Sequence, residues 1–133
     1  MSLEELNDKG KKLLDMGRRE EAEMLLLQAS ERAEIMKDIR SQSESLLLLG
    51  RLCRDRGDFS QAMTLYQQAL MLIEQHKDKE LMGVACSQIG SLHFMQDNYS
   101  QASESYKKGL NIARELQNEQ NISVGYGNLS NYE

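Results

Sequence analysis

Apolar residues recur at a helical spacing that stops and restarts along the chain. Leu46, Leu49, Gly50 and Cys53 follow each other every three or four residues, and the polar run "RDRGD" then interrupts them. A second stripe with helical spacing follows, and it comprises Ala62, Leu65, Tyr66, Ala69, Leu70 and Ile73. This pattern predicts two amphipathic helices joined by a tight turn.

Turn and cap residues mark the boundary between these two helices. Gly57 can adopt the left-handed conformation that ends a helix, and Asp58 is a favoured N-cap residue. Gln61 stands three positions later, where a capping box has its second member. Asn98 and Gln101 repeat this arrangement further along the chain, so we expect the same cap there.

The whole unit recurs with a period of forty residues and without insertions. Small residues at fixed positions let paired helices approach closely, and each pair buries its apolar stripe only by stacking on the next pair. The matching sets are Gly10, Gly50 and Gly90; Ala22, Ala62 and Ala102; Ala29, Ala69 and Gly109; and Asp38, Asp78 and Asn118. We expect the helices to break near Gly17, Asp38, Gly57, Asp78 and Asp97.

The period predicts a single domain over residues 1–133, with full repeats at about 3–40, 43–80 and 83–120. Residues 121–133 match the start of a fourth unit, and Ile122, Tyr126 and Leu129 would form the apolar side of its first helix. Two interpretations stay open for this segment. It is either a truncated repeat of a longer protein, with possible self-association through residues 121–133, or a terminal cap.

Composition narrows the class of protein. The 133 residues contain no Pro and no Trp, and strong helix formers dominate, which favours an all-α fold. The formal charge of −5 disfavours general binding to nucleic acid. The start of the chain lacks the basic and apolar regions of a signal peptide, and no apolar run is long enough to span a membrane. We therefore expect a cytoplasmic protein.

Two copies of the unit carry a family signature. Leu49-Gly50, Cys53, Gly57, Ala62, Tyr66 and Ala69 resemble the tetratricopeptide repeat, and Ile89-Gly90, His93, Ala102, Tyr106 and Gly109 match it again. The forty-residue length is similar to the repeats of kinesin light chains and of spindle-orientation adaptors with Leu-Gly-Asn motifs. It also resembles repeats of bacterial peptide-sensing regulators. The resemblance implies a right-handed α-solenoid of helix-turn-helix units.

The resemblance also implies a binding surface. In this family the first helix of each unit lines a concave groove that holds a peptide of a partner protein. The positions of this chain that match the lining are Asn7, Lys11, Leu47, Leu48, Arg51, Arg54, Ser87, Gln88, Ser91, Phe94, Asn128 and Asn131. The mixture of charged, amide and apolar side chains leads us to expect a ligand of mixed charge with apolar anchors.

The residues that carry catalysis or bind metals are few and scattered. Cys53 and Cys86 fall on core positions, and their separation along the helices disfavours a disulfide. His93 also falls on a core position, and His76 lies in a polar break. No catalytic group, metal site or cofactor is expected.

The sequence therefore predicts a non-enzymatic adaptor that binds a peptide segment of another protein. Two alternatives remain open. The first is a self-assembling or intramolecular scaffold, and the second is the peptide-sensing part of a bacterial regulator. Neither composition nor spacing identifies the partner.

Overall fold

The computed structural model describes residues 1–116, and these residues form six helices without any strand. The helices are α1 (Leu3–Asp15), α2 (Arg19–Met36), α3 (Ile39–Asp55), α4 (Phe59–His76), α5 (Lys79–Met95) and α6 (Tyr99–Glu115). Each repeat is one pair of these helices. The predicted all-α helix-turn-helix fold is confirmed, whereas residues 117–133 lie outside the described part.

The breaks fall at the expected residues. Within each repeat the turn contains one residue with positive φ, namely Gly17 at 76°, Gly57 at 84° and Asp97 at 63°. Between repeats the positive φ is at Lys37 and Lys77. The forty-residue period of the sequence is therefore also a period of backbone conformation.

Of the two side-chain caps that the sequence predicts, the one at Asp58 forms and the one at Asn98 does not. Oδ1 of Asp58 accepts a hydrogen bond from the backbone N–H of Gln61 at 3.1 Å, and Asp38 and Asp78 cap α3 and α5 in the same manner. The cap expected from Asn98 is wrong, because its side chain makes no cap hydrogen bond. Its ψ of 67°, against 89° and 92° at Asp38 and Asp78, lies further from the extended conformation in which a cap side chain reaches back.

Close packing within each repeat depends on glycine. A Cβ added at Gly50 would lie 2.5 Å from the ring of Tyr66, and one at Gly90 would lie 2.8 Å from the ring of Tyr106. Gly10 faces Leu26 in the same way. These distances confirm that small residues on the first helix make room for a large residue on the second.

The described part of the chain divides into two compact units, whose boundary lies between His76 and Lys77. In the first unit α3 covers both α1 and α2, because Leu49 and Leu52 join a buried cluster with Leu13, Leu14, Ala22 and Leu26. In the second unit α5 packs along α6.

Candidate functional site: two stripes on the first helices

One side of α5 carries an uncharged stripe, which we call the α5 stripe. It contains Val84, Ser87, Gln88, Ser91 and Phe94, at a spacing that places them on one face of the helix. Val84 and Phe94 at its two ends are 40% and 42% exposed, and the three polar residues between them are half-buried. The stripe therefore offers apolar contacts at both ends and hydrogen-bonding groups in the middle.

Neighbouring aromatic residues fix two members of this stripe. The ring of Phe94 lies 5.4 Å from the ring of Tyr99, centroid to centroid, in a tilted arrangement. The hydroxyls of Ser91 and Tyr106 share a hydrogen bond of 3.0 Å, in which either can donate. Both side chains are held in place before any ligand arrives.

The matching side of α3 carries charges, and we call it the α3 stripe. It contains Glu44, Leu47, Leu48, Arg51 and Arg54, which stand forty positions before the members of the α5 stripe. Three of the five positions that are uncharged on α5 are therefore ionisable here. The two units therefore differ in charge at three matching positions.

Arg51 is engaged within the protein. Its Nη2 donates to Oδ1 of Asp15 on α1 at 2.6 Å, and its Nε lies 3.9 Å from Oδ2 of Asp55. Two carboxylates thus hold the guanidinium against α1. A ligand carboxylate would have to compete with them. Arg51 is therefore less accessible to a ligand than its position in the sequence indicates.

Glu44 is the other charged member with a perturbed environment. Burial raises the pKa of Glu44 above its usual value, and the nearby carboxylates of Asp8, Glu4 and Asp38 raise it further. The guanidinium of Arg40, 3.3 Å away, opposes this rise. An additional cation next to Glu44 would relieve repulsion among these acids.

Two predicted binding residues are buried. Asn7 is 2% exposed, its Nδ2 donates to the carbonyl of Ser41 at 3.1 Å, and Ser45 Oγ donates to its Oδ1 at 2.7 Å. Leu47 is 4% exposed. The expectation that both offer side chains to a ligand needs correction, since Asn7 joins α1 to α3 and Leu47 has almost no accessible surface.

The remaining predicted residues divide by accessibility. Lys11 is exposed, Leu48 and Arg54 are half-buried on their helices, and Asn128 and Asn131 lie outside the described residues. Across residues 1–116 no group of three or more His, Cys, Asp or Glu side chains is arranged to hold a metal ion. Cys53 and Cys86 are both thiols. Among the described helices, none is long and apolar enough to cross a membrane.

The sequence reasoning missed a further surface on the outside of α2. Met24, Leu27 and Ile35 lie on one face and are between 54% and 74% exposed. The matching positions on the other two second helices are polar, namely Thr64, Gln67 and Gln75 on α4 and Glu104, Lys107 and Glu115 on α6. A comparison of outward positions between repeats, rather than of core positions, would have revealed it.

Similarity to known proteins agrees with this fold. The structure of aspartyl phosphate phosphatase F from Bacillus subtilis superposes with a TM-score of 0.85 at 18% identity, over 98% of this chain and 34% of that one. The TPR domain of Arabidopsis FLU superposes with a TM-score of 0.74 at 20% identity, over 87% of this chain and 96% of that domain. The chain thus spans about a third of the phosphatase. No curated protein sequence matches it significantly.

Family models add the sequence match. Models described as tetratricopeptide repeat match residues 6–75 and residues 84–116, which together span the three helix pairs. The paired helices, the glycine at each close approach and the forty-residue period all agree with that match. The chain belongs to the tetratricopeptide-repeat family, whose members are in general protein-interaction modules.

Proposed function

We propose that the protein is a non-enzymatic adaptor that holds a peptide segment of a partner protein along its first helices. The observation that carries this proposal is the α5 stripe. Two exposed apolar residues flank half-buried Ser and Gln side chains there. Solvent exposure of Phe94 and Val84 has a cost that a bound ligand would remove.

The dimensions of the stripe fit a short peptide. Val84 and Phe94 are ten residues apart on a helix, which corresponds to about 15 Å. An extended peptide covers that length in about five residues. Amide and hydroxyl groups in the middle of the stripe can bond to the backbone of such a peptide, because Gln supplies both donors and an acceptor.

The α3 stripe, considered by itself, indicates the charge of a ligand segment that contacts α3. Glu44 lies among other acids, so a lysine or arginine of the ligand is favoured beside it. Arg54 and Leu48 offer a cation and an apolar contact on the same helix. We therefore propose a ligand of mixed charge with apolar anchors, whose affinity falls only modestly with salt.

The binding test compares two pairs of substitutions with similar chemistry. Peptides selected from a displayed random library against the protein are titrated by fluorescence anisotropy. We expect Gln88→Ala with Phe94→Ala to weaken binding by at least about tenfold, because a few residues that a ligand desolvates, aromatic ones above all, carry most of the binding energy. The matched control, Gln68→Ala with Met71→Ala on the exposed side of α4, should change affinity by less than about twofold. An equal loss in both pairs would place the ligand elsewhere.

A separate substitution tests the proposed charge of the ligand. Glu44→Lys should weaken those selected peptides that contain lysine or arginine and should leave uncharged peptides unaffected. If basic peptides bind this variant as well as the parent, the α3 stripe takes no part in recognition.

The outer face of α2 favours a second candidate function, which is assembly with a second copy. Replacing Met24, Leu27 and Ile35 by the α4 residues Thr, Gln and Gln gives a variant with an ordinary polar face. If the parent associates in sedimentation velocity and this variant does not, the protein is a scaffold that assembles through α2. A parent that remains monomeric at high concentration removes this candidate.

The finer assignments are also proposals. The forty-residue period supports the proposed kinship with kinesin light chains and Leu-Gly-Asn adaptors, and we also propose a cytoplasmic location. The peptide-sensing part of a bacterial regulator remains the alternative. It predicts tight binding of a short free peptide, whereas an adaptor should bind the same sequence equally well inside a larger protein.

A further inference from the structure

Two aromatic rings and a carboxylate lie together where α5 ends and α6 begins. We call these three residues, Phe94, Asp97 and Tyr99, the aromatic turn. The two rings are 5.4 Å apart, and Phe94 and Tyr99 are 42% and 51% exposed. The hydroxyl of Tyr99 donates to Oδ1 of Asp97 at 2.9 Å, and this hydrogen bond raises the pKa of Tyr99. The aromatic turn therefore combines accessible ring surface with a negative charge.

The other two repeats carry arginine at the positions of these rings. Arg19 in the first repeat matches Tyr99, and Arg54 in the second repeat matches Phe94. The second repeat has a further arginine in its turn, Arg56, whose Nη1 lies 2.8 Å from a carboxylate oxygen of Glu23. The third repeat has aromatic rings at both positions and an aspartate between them, and it supplies no guanidinium of its own there.

The sequence around the aromatic turn contains no basic residue over a long stretch. Neither Lys nor Arg occurs between Lys79 and Lys107, whereas Glu80, Asp97 and Glu104 all lie in this segment. The segment covers nearly all of α5 and the first half of α6. Its excess of negative charge attracts a cation to this part of the unit.

The backbone at Asp97 is a further unusual feature of this turn. Its φ is 63°, and the matching turns of the first two repeats have glycine, Gly17 and Gly57, at this position. A side chain in the left-handed conformation has a cost that glycine avoids, and residues held in such conformations cluster at sites that bind ligands. Here the conformation places a carboxylate beside two exposed rings.

We propose that the aromatic turn binds an arginine side chain of the peptide that lies along the α5 stripe. This inference rests on the proposed function, because Phe94 belongs to both surfaces. The planar guanidinium stacks on the rings and donates to the carboxylate of Asp97. Both carboxylate oxygens accept hydrogen bonds, so Asp97 can hold Tyr99 and the ligand together. Lysine suits this site less well, because its ammonium is more strongly hydrated and cannot stack as a plane.

The experiment uses the full chain and two short peptides as probes. One is an acetylated, amidated peptide of four alanines around a central arginine, and the other has citrulline, the uncharged isostere, in place of arginine. NMR signals of the Phe and Tyr rings report binding. We expect the arginine peptide to shift the signals of Phe94 and Tyr99, whereas those of Phe59, the only other Phe, should stay in place. The citrulline peptide should shift neither set.

Two variants with one charge removed test the role of Asp97. Asp97→Asn removes the carboxylate and keeps a residue type that tolerates the left-handed conformation. We expect it to weaken binding of the arginine peptide by about fivefold, which is typical of the loss of one close charge partner at an accessible site. Glu104→Gln is the matched control on α6, and it should change the affinity by less than about twofold.

The outcomes separate this inference from the proposed function. Equal shifts with both peptides, shifts that include Phe59, or no shift at Phe94 and Tyr99 would each overturn the arginine site. Selected peptides that depend on Gln88 and Phe94 but bind equally well with citrulline would leave the proposed function intact and remove only this inference. Ring shifts with the arginine peptide, together with selected peptides that ignore Gln88 and Phe94, would support the arginine site and contradict peptide binding along the α5 stripe.

Discussion

The α3 stripe and the α5 stripe occupy the same register on two first helices and have different surface chemistry. On α3 the ionisable residues Glu44, Arg51 and Arg54 already have partners, and Arg51 is held by Asp15 at 2.6 Å. The α5 stripe holds no charge and exposes Val84 at one end. The repeat therefore determines where these side chains lie, whereas the type of residue at each position differs from one repeat to the next.

The interiors of the two units, in contrast to their surfaces, are alike. Gly50 faces the ring of Tyr66, and Gly90 faces the ring of Tyr106, at nearly the same distance. A change in either residue would separate the helices of that repeat. The comparison shows that the two units share their interior packing and differ in their surface chemistry.

The largest expected effect tests the shared packing. Gly50→Val and Gly90→Val each force a branched side chain against a buried ring, and we expect each to destabilise the protein by about 3 kcal/mol. Gly83→Ala is the control, because its Cβ meets only an ordinary contact, and it should stabilise the helix by about 0.5–1 kcal/mol. Urea denaturation followed by circular dichroism measures all three. A mild effect at only one glycine would break the equivalence of the two units.

The second prediction concerns the buried phenol of the first unit. Burial raises the pKa of Tyr66 to about 12, from its usual value of 10. Between these values the unfolded chain loses the phenol proton and the folded protein keeps it, so the free energy of unfolding decreases as the pH rises from about 10 to about 12. The loss should approach roughly 2.7 kcal/mol at the upper end.

Tyr66→Phe is the matched variant for this measurement. The difference in unfolding free energy between parent and variant, measured in urea, should be constant below pH 10 and should change above it. A difference that stays constant up to pH 12 would mean that the phenol reaches water in the folded protein.

The third prediction tests the polar contact between α1 and α3. Asn7→Ala removes the hydrogen bonds that join its amide to the carbonyl of Ser41 and to the hydroxyl of Ser45, and we expect a loss of about 2 kcal/mol. Lys11→Ala, an exposed residue of the same helix, should change stability by less than about 0.5 kcal/mol. If the two substitutions are equivalent in urea denaturation, Asn7 is solvated and is available to a ligand after all.

The smallest effect concerns the turns, where the units differ by one residue. Gly17 and Gly57 take the positive φ in the first two repeats, and Asp97 takes it in the third at 63°. Asp97→Gly relieves left-handed strain but loses a hydrogen bond from Tyr99 at 2.9 Å, so we expect a net gain of about 0.5 kcal/mol. When Tyr99→Phe is present in both the parent and the variant, Asp97→Gly should increase the free energy of unfolding by more than this. A loss in that background would show that Asp97 is not strained.

Much of the fold could be read from the residues alone. Helices, breaks and close approaches of helices depend on the spacing of apolar residues and on the size of side chains. Both can be seen in the sequence of each forty-residue unit. The cap at Asn98 failed although its position matches that of Asp58, and its ψ of 67° lies further from the extended conformation than the ψ of Asp38 or Asp78. Local sequence fixes the type of residue at a helix start but not its exact backbone angle.

The candidate site depended much more on tertiary structure. The resemblance to the repeat family placed Asn7, Leu47 and Arg51 on a binding surface. Neighbouring helices bury Asn7 and engage Arg51, and Leu47 has almost no exposed surface. The sequence analysis also missed the exposed apolar face of α2, because it compared only core positions between repeats. The sequence by itself determined the repeat, its helices and its tight glycine contacts, because these rest on residues near one another in the chain. Only the tertiary structure decided which polar groups remain accessible, because burial and pairing depend on residues from other helices.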